Sequence, residues 1–144
     1  MFNKGLRSSN TPEWTTPAAI FRELDYEFHF DLDPCATDEN HKCARYFTKD
    51  DDGLLREWTG RVFCNPPYGR RIGEWVKKAR VSAETTADLV VCLLPARTDT
   101  AWFHDDILGV AEIRFLRGRQ HFGDGKGSAP FPSMVVIFRR NSNA

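Results

Sequence analysis

Leu89-Val90-Val91-Cys92-Leu93-Leu94, bracketed by Asp88 and Pro95, is an unbroken apolar run. It is short for a helix, and a strand with one face in water would alternate apolar and polar side chains. The run therefore predicts a strand covered on both faces, at the centre of a sheet flanked by helices.

The segments on either side extend that reading. Arg61 to Cys64 reads as a strand that ends in the turn Asn65-Pro66-Pro67-Tyr68, and Ile72, Trp75, Val76 and Ala79 then fall at helical spacing, leaving Lys77, Lys78 and Arg80 on the wet side. A helix over Ala101 to Leu108, a strand over Glu112 to Leu116 and a last strand over Met134 to Arg139 follow. Upstream, the pattern predicts a helix starting at Pro17 with Thr16 as its cap, and a first strand over Phe28 to Asp33. A short helix over Asp38 to Ala44 and a strand over Arg45 to Thr48 come next, then the acidic turn Asp50 to Gly53 and a further short helix through Trp58. Such alternation predicts an α/β fold, a Rossmann-like doubly wound sheet that is mostly parallel with an antiparallel last strand. Residues 1–13 read as a polar lead-in and 14–144 as one domain, with no room for a separate target-recognition domain.

Composition sets limits on function. At 144 residues, 41% hydrophobic and 12% aromatic, the chain can bury a single core. Lys+Arg and Asp+Glu balance at 20 each, so nucleic acid would have to be met by a local basic patch. There is no membrane-length apolar run and no apolar leader, which predicts a cytoplasmic protein. Cys64 and Cys92 lie inside strand-like runs, as buried thiols commonly do. Cys35, His41 and Cys43 lack paired zinc-ligand spacing, so no metal is expected.

The turn after Cys64 carries chemistry. An exocyclic amine on a planar ring is a poor nucleophile because its lone pair is delocalised. The side-chain oxygen of Asn65 and the main-chain carbonyl of Pro66 can each accept one N–H, favouring a more tetrahedral nitrogen. Pro66 and Pro67 stiffen the turn and contribute no competing donor, while Tyr68 offers an aromatic face to a base or a cation. An Asn-Pro turn that merely closes a strand uses the same residue types. In the same way, Asp33 at the first strand end can hold a cofactor's ammonium or ribose hydroxyls, or simply end a strand with Pro34, Cys35 and the small Ala36 behind it. The long stretch Gly118 to Ser133 is rich in Gly and Pro. Its Gly123-Asp124-Gly125-Lys126-Gly127 lacks the strand-loop-helix setting of a phosphate loop and reads as a surface loop near the site.

Taken in order, Trp14-Thr15-Thr16-Pro17, Asp31-Leu32-Asp33-Pro34-Cys35-Ala36, Asp52-Gly53-Leu54 and Phe63-Cys64-Asn65-Pro66-Pro67-Tyr68 resemble the phage-type DNA adenine-N6 methyltransferases, the Dam family. So do Leu94 to Thr100 with Trp102-Phe103-His104, Arg117-Gly118-Arg119, and Ala129-Pro130-Phe131-Pro132-Ser133. The resemblance implies S-adenosylmethionine as cofactor, with Trp14, Thr15, Thr16, Pro17, Asp33, Pro34, Cys35 and Ala36 around it and Asp52 and Leu54 at its adenine ring. It implies that Asn65, Pro66, Pro67 and Tyr68 act on a flipped adenine of double-stranded DNA. It also implies a phage or prophage origin, with a role in shielding DNA from restriction. The Gly-rich loop of the broader methyltransferase pattern is missing after the first strand, where Asp-Pro-Cys-Ala-Thr stands. Arg70, Arg71, Arg97, Arg117, Arg119 and His121 are the candidate DNA contacts, and a palindromic target would suit a homodimer. Two other readings stay open from the residues: methylation of RNA or of a protein Gln amide, and a non-catalytic nucleic-acid-binding relative.

Overall fold

The computed structural model describes residues 15–122 and 127–140. The expected lead-in over 1–13, Trp14, and the Gly123 to Lys126 part of the glycine-rich stretch lie outside the described residues.

The unbroken apolar run is strand β4 (Ala87–Pro95), interior as its composition requires. It pairs in parallel with β3 (Gly60–Cys64), setting Val62 beside Val90 and Cys64 beside Cys92. Farther out on that side lie β1 (Leu32–Asp33) and β2 (Arg45–Tyr46), both parallel, in the order β2-β1-β3-β4. On the other side β6 (Ser133–Arg139) runs against β4, and the edge is β5 (Glu112–Phe115), antiparallel to β6. Among the described residues the sheet is thus a mixed, mostly parallel one of six strands in an α/β chain, and the last strand is the antiparallel one.

Helix α1 (Ala18–Phe28) turns Leu24 and Phe28 inward, and its Phe21 meets Phe63 of β3 edge to face at 5.2 Å. Helix α2 (Ile72–Thr85) buries Ile72, Trp75, Val76, Ala79 and Ala83, the expected helical spacing, and its chief packing partner is β4. Side chains such as Val76, Val90 and Leu93 are fully removed from water, each stabilising the fold by about 1.5–3 kcal/mol relative to exposure. The outer corner is tied by ions. Arg114 bridges Glu27 of α1 and Glu112 of β5 at 2.7 Å each, Arg139 reaches the same Glu112, and both guanidiniums lie over the Phe28 ring. Among the described residues no helix is long and apolar enough to cross a membrane.

Several expected elements differ. The first strand is not Phe28 to Asp33, because α1 continues through Phe28 and closes on His29 in the left-handed region (φ 57°). Phe30 N–H then binds the Asp25 side chain, so only Leu32 and Asp33 reach the sheet. Thr16 does not cap α1: the capping position is Pro17 and no side-chain cap is made. Asp38 to Ala44 is not helical. Thr37 and Asn40 exchange backbone hydrogen bonds across a tight turn and Lys42 N–H goes to Asp33, so these donors are not available to a helical ladder. The segment after the acidic turn is a single 3₁₀ turn, Gly53–Leu55, whereas the helix expected from Ala101 is present, helical at 101–102 and continuing as a π-helix over Phe103–Ile107, with Leu108 N–H on the Phe103 carbonyl. Arg80, expected in water, instead bridges Asp106 at 2.7 Å and Glu84 at 3.2 Å.

Candidate active site

Because β1 and β3 are parallel neighbours, their carboxyl ends lie side by side, and Asp33 and Asn65 open onto one cleft of about 480 Å³. Thr15, Thr16, Asp33, Pro34, Cys35 and Ala36 line it, as do Asp52, Asn65, Pro67, Arg70 and Arg71. The size lies within the usual range for small-molecule sites, roughly 300–1,000 Å³.

Asp33 is 4% exposed. Burial pushes its carboxyl above the usual range, opposed by the backbone N–H groups of Lys42 and Cys35, which it accepts at 2.9 and 3.3 Å. This carboxylate staples the whole Pro34 to Lys42 loop to the end of β1.

The acidic turn, in contact with Pro34, forms another part of the wall. Asp51 fixes it by accepting from Thr48 N–H and hydroxyl, and Asp52 sits in the left-handed region (φ 56°), a conformation that costs a non-glycine residue energy. Gly53 follows because nothing larger fits: an added Cβ would stand 2.2 Å from the Pro34 carbonyl oxygen and 3.1 Å from the Trp75 ring. Fully buried Trp58 holds this turn from behind, donating its indole N–H to the Gly53 carbonyl at 2.8 Å.

Asn65 directly follows β3, and its Nδ2 donates to the Thr16 hydroxyl oxygen at 2.9 Å across 49 positions of sequence. Pro66 is buried and does not line the cleft, whereas Pro67 does. Tyr68 is 9% exposed and does not line it either. Its hydroxyl donates to the Leu93 carbonyl at 2.7 Å, and the edges of its ring meet Phe131 at 5.5 Å and Phe122 at 6.3 Å. Burial raises the Tyr68 hydroxyl well above its ordinary range, so it stays protonated.

The other expected residues divide in two. Arg70 and Arg71 stand at the cleft itself, Arg71 paired with Glu74 at 3.0 Å. Arg97, Arg117, Arg119 and His121 are exposed outside it. Arg97 lies over the Phe131 ring at 5.7 Å, and the His121 ring nitrogen is 2.9 Å from the Gly127 carbonyl. Pro17 and Leu54 do not line the cleft, Leu54 packing against the core. Thr37, Asn40, Lys42, Thr48, Lys49, Gly53, Phe63, Gly69 and Trp75 complete the lining and were missed in the sequence. Thr48 and Lys49 could have been found as the residues following the β2 strand end. Nothing in the sequence marks Asn40 or Trp75.

No disulfide joins the four cysteines. His41 stacks on Tyr46 at 3.9 Å, and among the described residues no group of three or more His, Cys, Asp or Glu is gathered as a metal site would need. Cys64 and Cys92 are buried, and burial with neighbouring carboxylates pushes Cys43 up to about 12. Cys35 alone is part-exposed and at the cleft. Iodoacetamide at pH 8 should therefore label Cys35 first by peptide mass mapping; equal labelling of Cys43 would contradict the described burial.

The pattern of the family described as DNA N-6-adenine-methyltransferase (Dam) matches residues 5–143. A DNA N-6-adenine-methyltransferase of Escherichia phage T1 is 34% identical over 118 residues, covering 76% of this chain and 49% of that protein. One of Haemophilus phage HP1 is 28% identical over 147 residues, covering 96% of this chain and 84% of that protein. The chain thus spans about half the length of the first relative and most of the second. With a match running through both strand-end segments that form the cleft, the chain belongs to the DNA N-6-adenine-methyltransferase (Dam) family.

Proposed function

We propose that this protein transfers a methyl group from S-adenosylmethionine to the exocyclic N6 of an adenine flipped out of double-stranded DNA. The observation that carries this reading is that Asn65 and the Asp33 loop, on adjacent parallel strand ends, face one cleft of ligand size. The domain that goes with it is a single Rossmann-like doubly wound unit, supported by α1 packing on Phe63 and α2 along β4.

The donor set suits the cofactor. Asp33 and Asp52 offer carboxylates to an ammonium or ribose, Lys42 and Lys49 offer cations to a carboxylate, and Phe63 and Trp75 offer apolar walls to an adenine ring. When bound, S-adenosylmethionine supplies an electrophilic methyl on a good leaving group, so no tuned general base is required for attack. The residues of the chain orient and desolvate. Asn65 and the Pro66 carbonyl accept the two amine hydrogens and aim the nitrogen lone pair, and Pro67 keeps the turn rigid. Tyr68, buried and braced by Phe122 and Phe131 with its hydroxyl on the Leu93 carbonyl, stiffens the turn from within, and stacking on the base would require those rings to part. Arg70 and Arg71 at the cleft mouth, and Arg97, Arg117, Arg119 and His121 beyond it, are assigned to the DNA backbone and base edges. Two copies of the chain would suit a palindromic target, and the reaction would take place in the cytoplasm of a bacterial host.

Incubation with labelled S-adenosylmethionine and, in parallel, duplex DNA, RNA and protein extract tests the reading. Label in N6-methyladenine from DNA is expected. Label confined to RNA or to Gln would move the substrate, and failure to bind the cofactor would end the enzymatic reading.

A further inference from the structure

We propose that Thr16 is a positioning residue for methyl transfer, acting through the carboxamide of Asn65. The inference rests on the functional reading above for its activity arm and on geometry for the rest.

An Asn side chain has two ends of nearly equal shape and opposite character, an oxygen that only accepts and an amino group that only donates. To grip an amine hydrogen, Asn65 must present its oxygen; a half-turn of the amide would set donor against donor and repel the target. Rotation about that terminal bond is soft, so the backbone of a rigid turn does not fix it. A hydrogen bond does. Asn65 Nδ2 donates to the Thr16 hydroxyl oxygen at 2.9 Å. Thr16 is 6% exposed, and both residues line the same cleft. A flipped amide would lose this bond, and could replace it only by turning the Thr16 hydroxyl to donate to its oxygen.

Thr16 is itself held. It precedes Pro17, which restricts the backbone before it to extended conformations, and Pro17 opens α1 with its carbonyl accepting from Phe21 N–H at 3.2 Å. Phe21 is pinned to Phe63, two positions before Asn65. The hydroxyl oxygen that orients the amide is thus registered to the strand that carries it. Because Thr16 uses only an oxygen lone pair toward Asn65, its proton is not needed for this bond.

The test compares Thr16→Val, which keeps the shape and removes the acceptor, with Thr16→Ser, which keeps the acceptor. With cofactor and duplex DNA both saturating, Thr16→Val should lower kcat by roughly tenfold to a hundredfold, the scale of small misplacement at a reacting centre. Thr16→Ser should restore most of it. In the Asn65→Ala background Thr16→Val should cost nothing further in kcat, which a merely structural role would not produce. A readout independent of transfer is the side-chain amide of Asn65 in ¹⁵N-labelled protein. Its two Nδ2 hydrogens are resolved in every variant, since the C–N bond of a carboxamide turns slowly; the one bonded to Thr16 should be slow to exchange with water in wild type and Thr16→Ser, and faster to exchange with a shifted resonance in Thr16→Val. Wild-type kcat in Thr16→Val, an additive loss on Asn65→Ala, or unchanged amide signals would overturn the proposal. Absence of methyl transfer to DNA by the wild type would instead overturn the functional reading, and the amide signals would still judge the role of Thr16.

Discussion

Asn65→Ala should reduce methyl transfer by roughly 10²–10³-fold, the range seen when one preorganised polar group is taken from a reacting centre. The reason is local. Alanine removes the acceptor for one amine hydrogen and leaves the Pro66 carbonyl to orient the nitrogen alone. Fold and cofactor site should survive, since Asn65 directly follows β3 in a turn whose packing is carried by Phe63, Pro66 and Tyr68. Cofactor affinity measured by calorimetry should stay close to wild type while single-turnover methylation collapses. Parallel loss of both would mean that Asn65 belongs to the cofactor side of the cleft. Asn65→Asp should be less damaging, because it keeps an oxygen acceptor and the Thr16 hydroxyl can rotate to donate to the carboxylate.

The second large effect is expected from Gly53→Ala. The new methyl group would stand 2.2 Å from the Pro34 carbonyl oxygen, a backbone atom that cannot swing aside, and 3.1 Å from the Trp75 ring. Relief requires the acidic turn to move away from the Asp33-Pro34 strand end, and these are two walls of the same cleft. Trp58 resists such a move from behind through its bond to the Gly53 carbonyl. Overpacking of this kind costs about 1–3 kcal/mol, and the site is wedged open as well. S-adenosylmethionine affinity should fall by about tenfold or more, the equivalent of 1.4 kcal/mol, with a lower thermal midpoint. Wild-type affinity and midpoint in Gly53→Ala would show that the two walls are not in contact in solution.

The reading of the sequence succeeded where local pattern and burial agree. β3, α2, β4, β5 and β6 fall within a residue or two of expectation, apart from the longer reach of α2 and β4. It failed where one distant side chain outbid local propensity. Asp38 to Ala44 has the composition of a short helix, but Asp33 takes the Lys42 N–H that helix would use. Thr16 has the type and position of a cap, but its hydroxyl oxygen is taken by Asn65. Leu54 and Asp52 are near neighbours in sequence and were read as a pair, yet only Asp52 faces the cleft, because the 3₁₀ turn rotates Leu54 onto the core. Tyr68 was read as an open face, and a long loop folding back brings Phe122 and Phe131 against its edges.

By itself, the sequence determined the interior strand, the position of the Asn-Pro-Pro-Tyr turn at the end of its neighbour, and the residue types available for gripping an amine. These follow from side-chain period and covalent geometry, which are local. Only the tertiary structure decided that Asp33 staples a loop as well as lining a site, that Gly53 must be glycine, and which end of the Asn65 amide is held by Thr16. The last two are contacts between segments far apart in the chain, while the Asp33 staple spans nine positions, and in each case the energy comes from an atom outside the residue's own turn or strand.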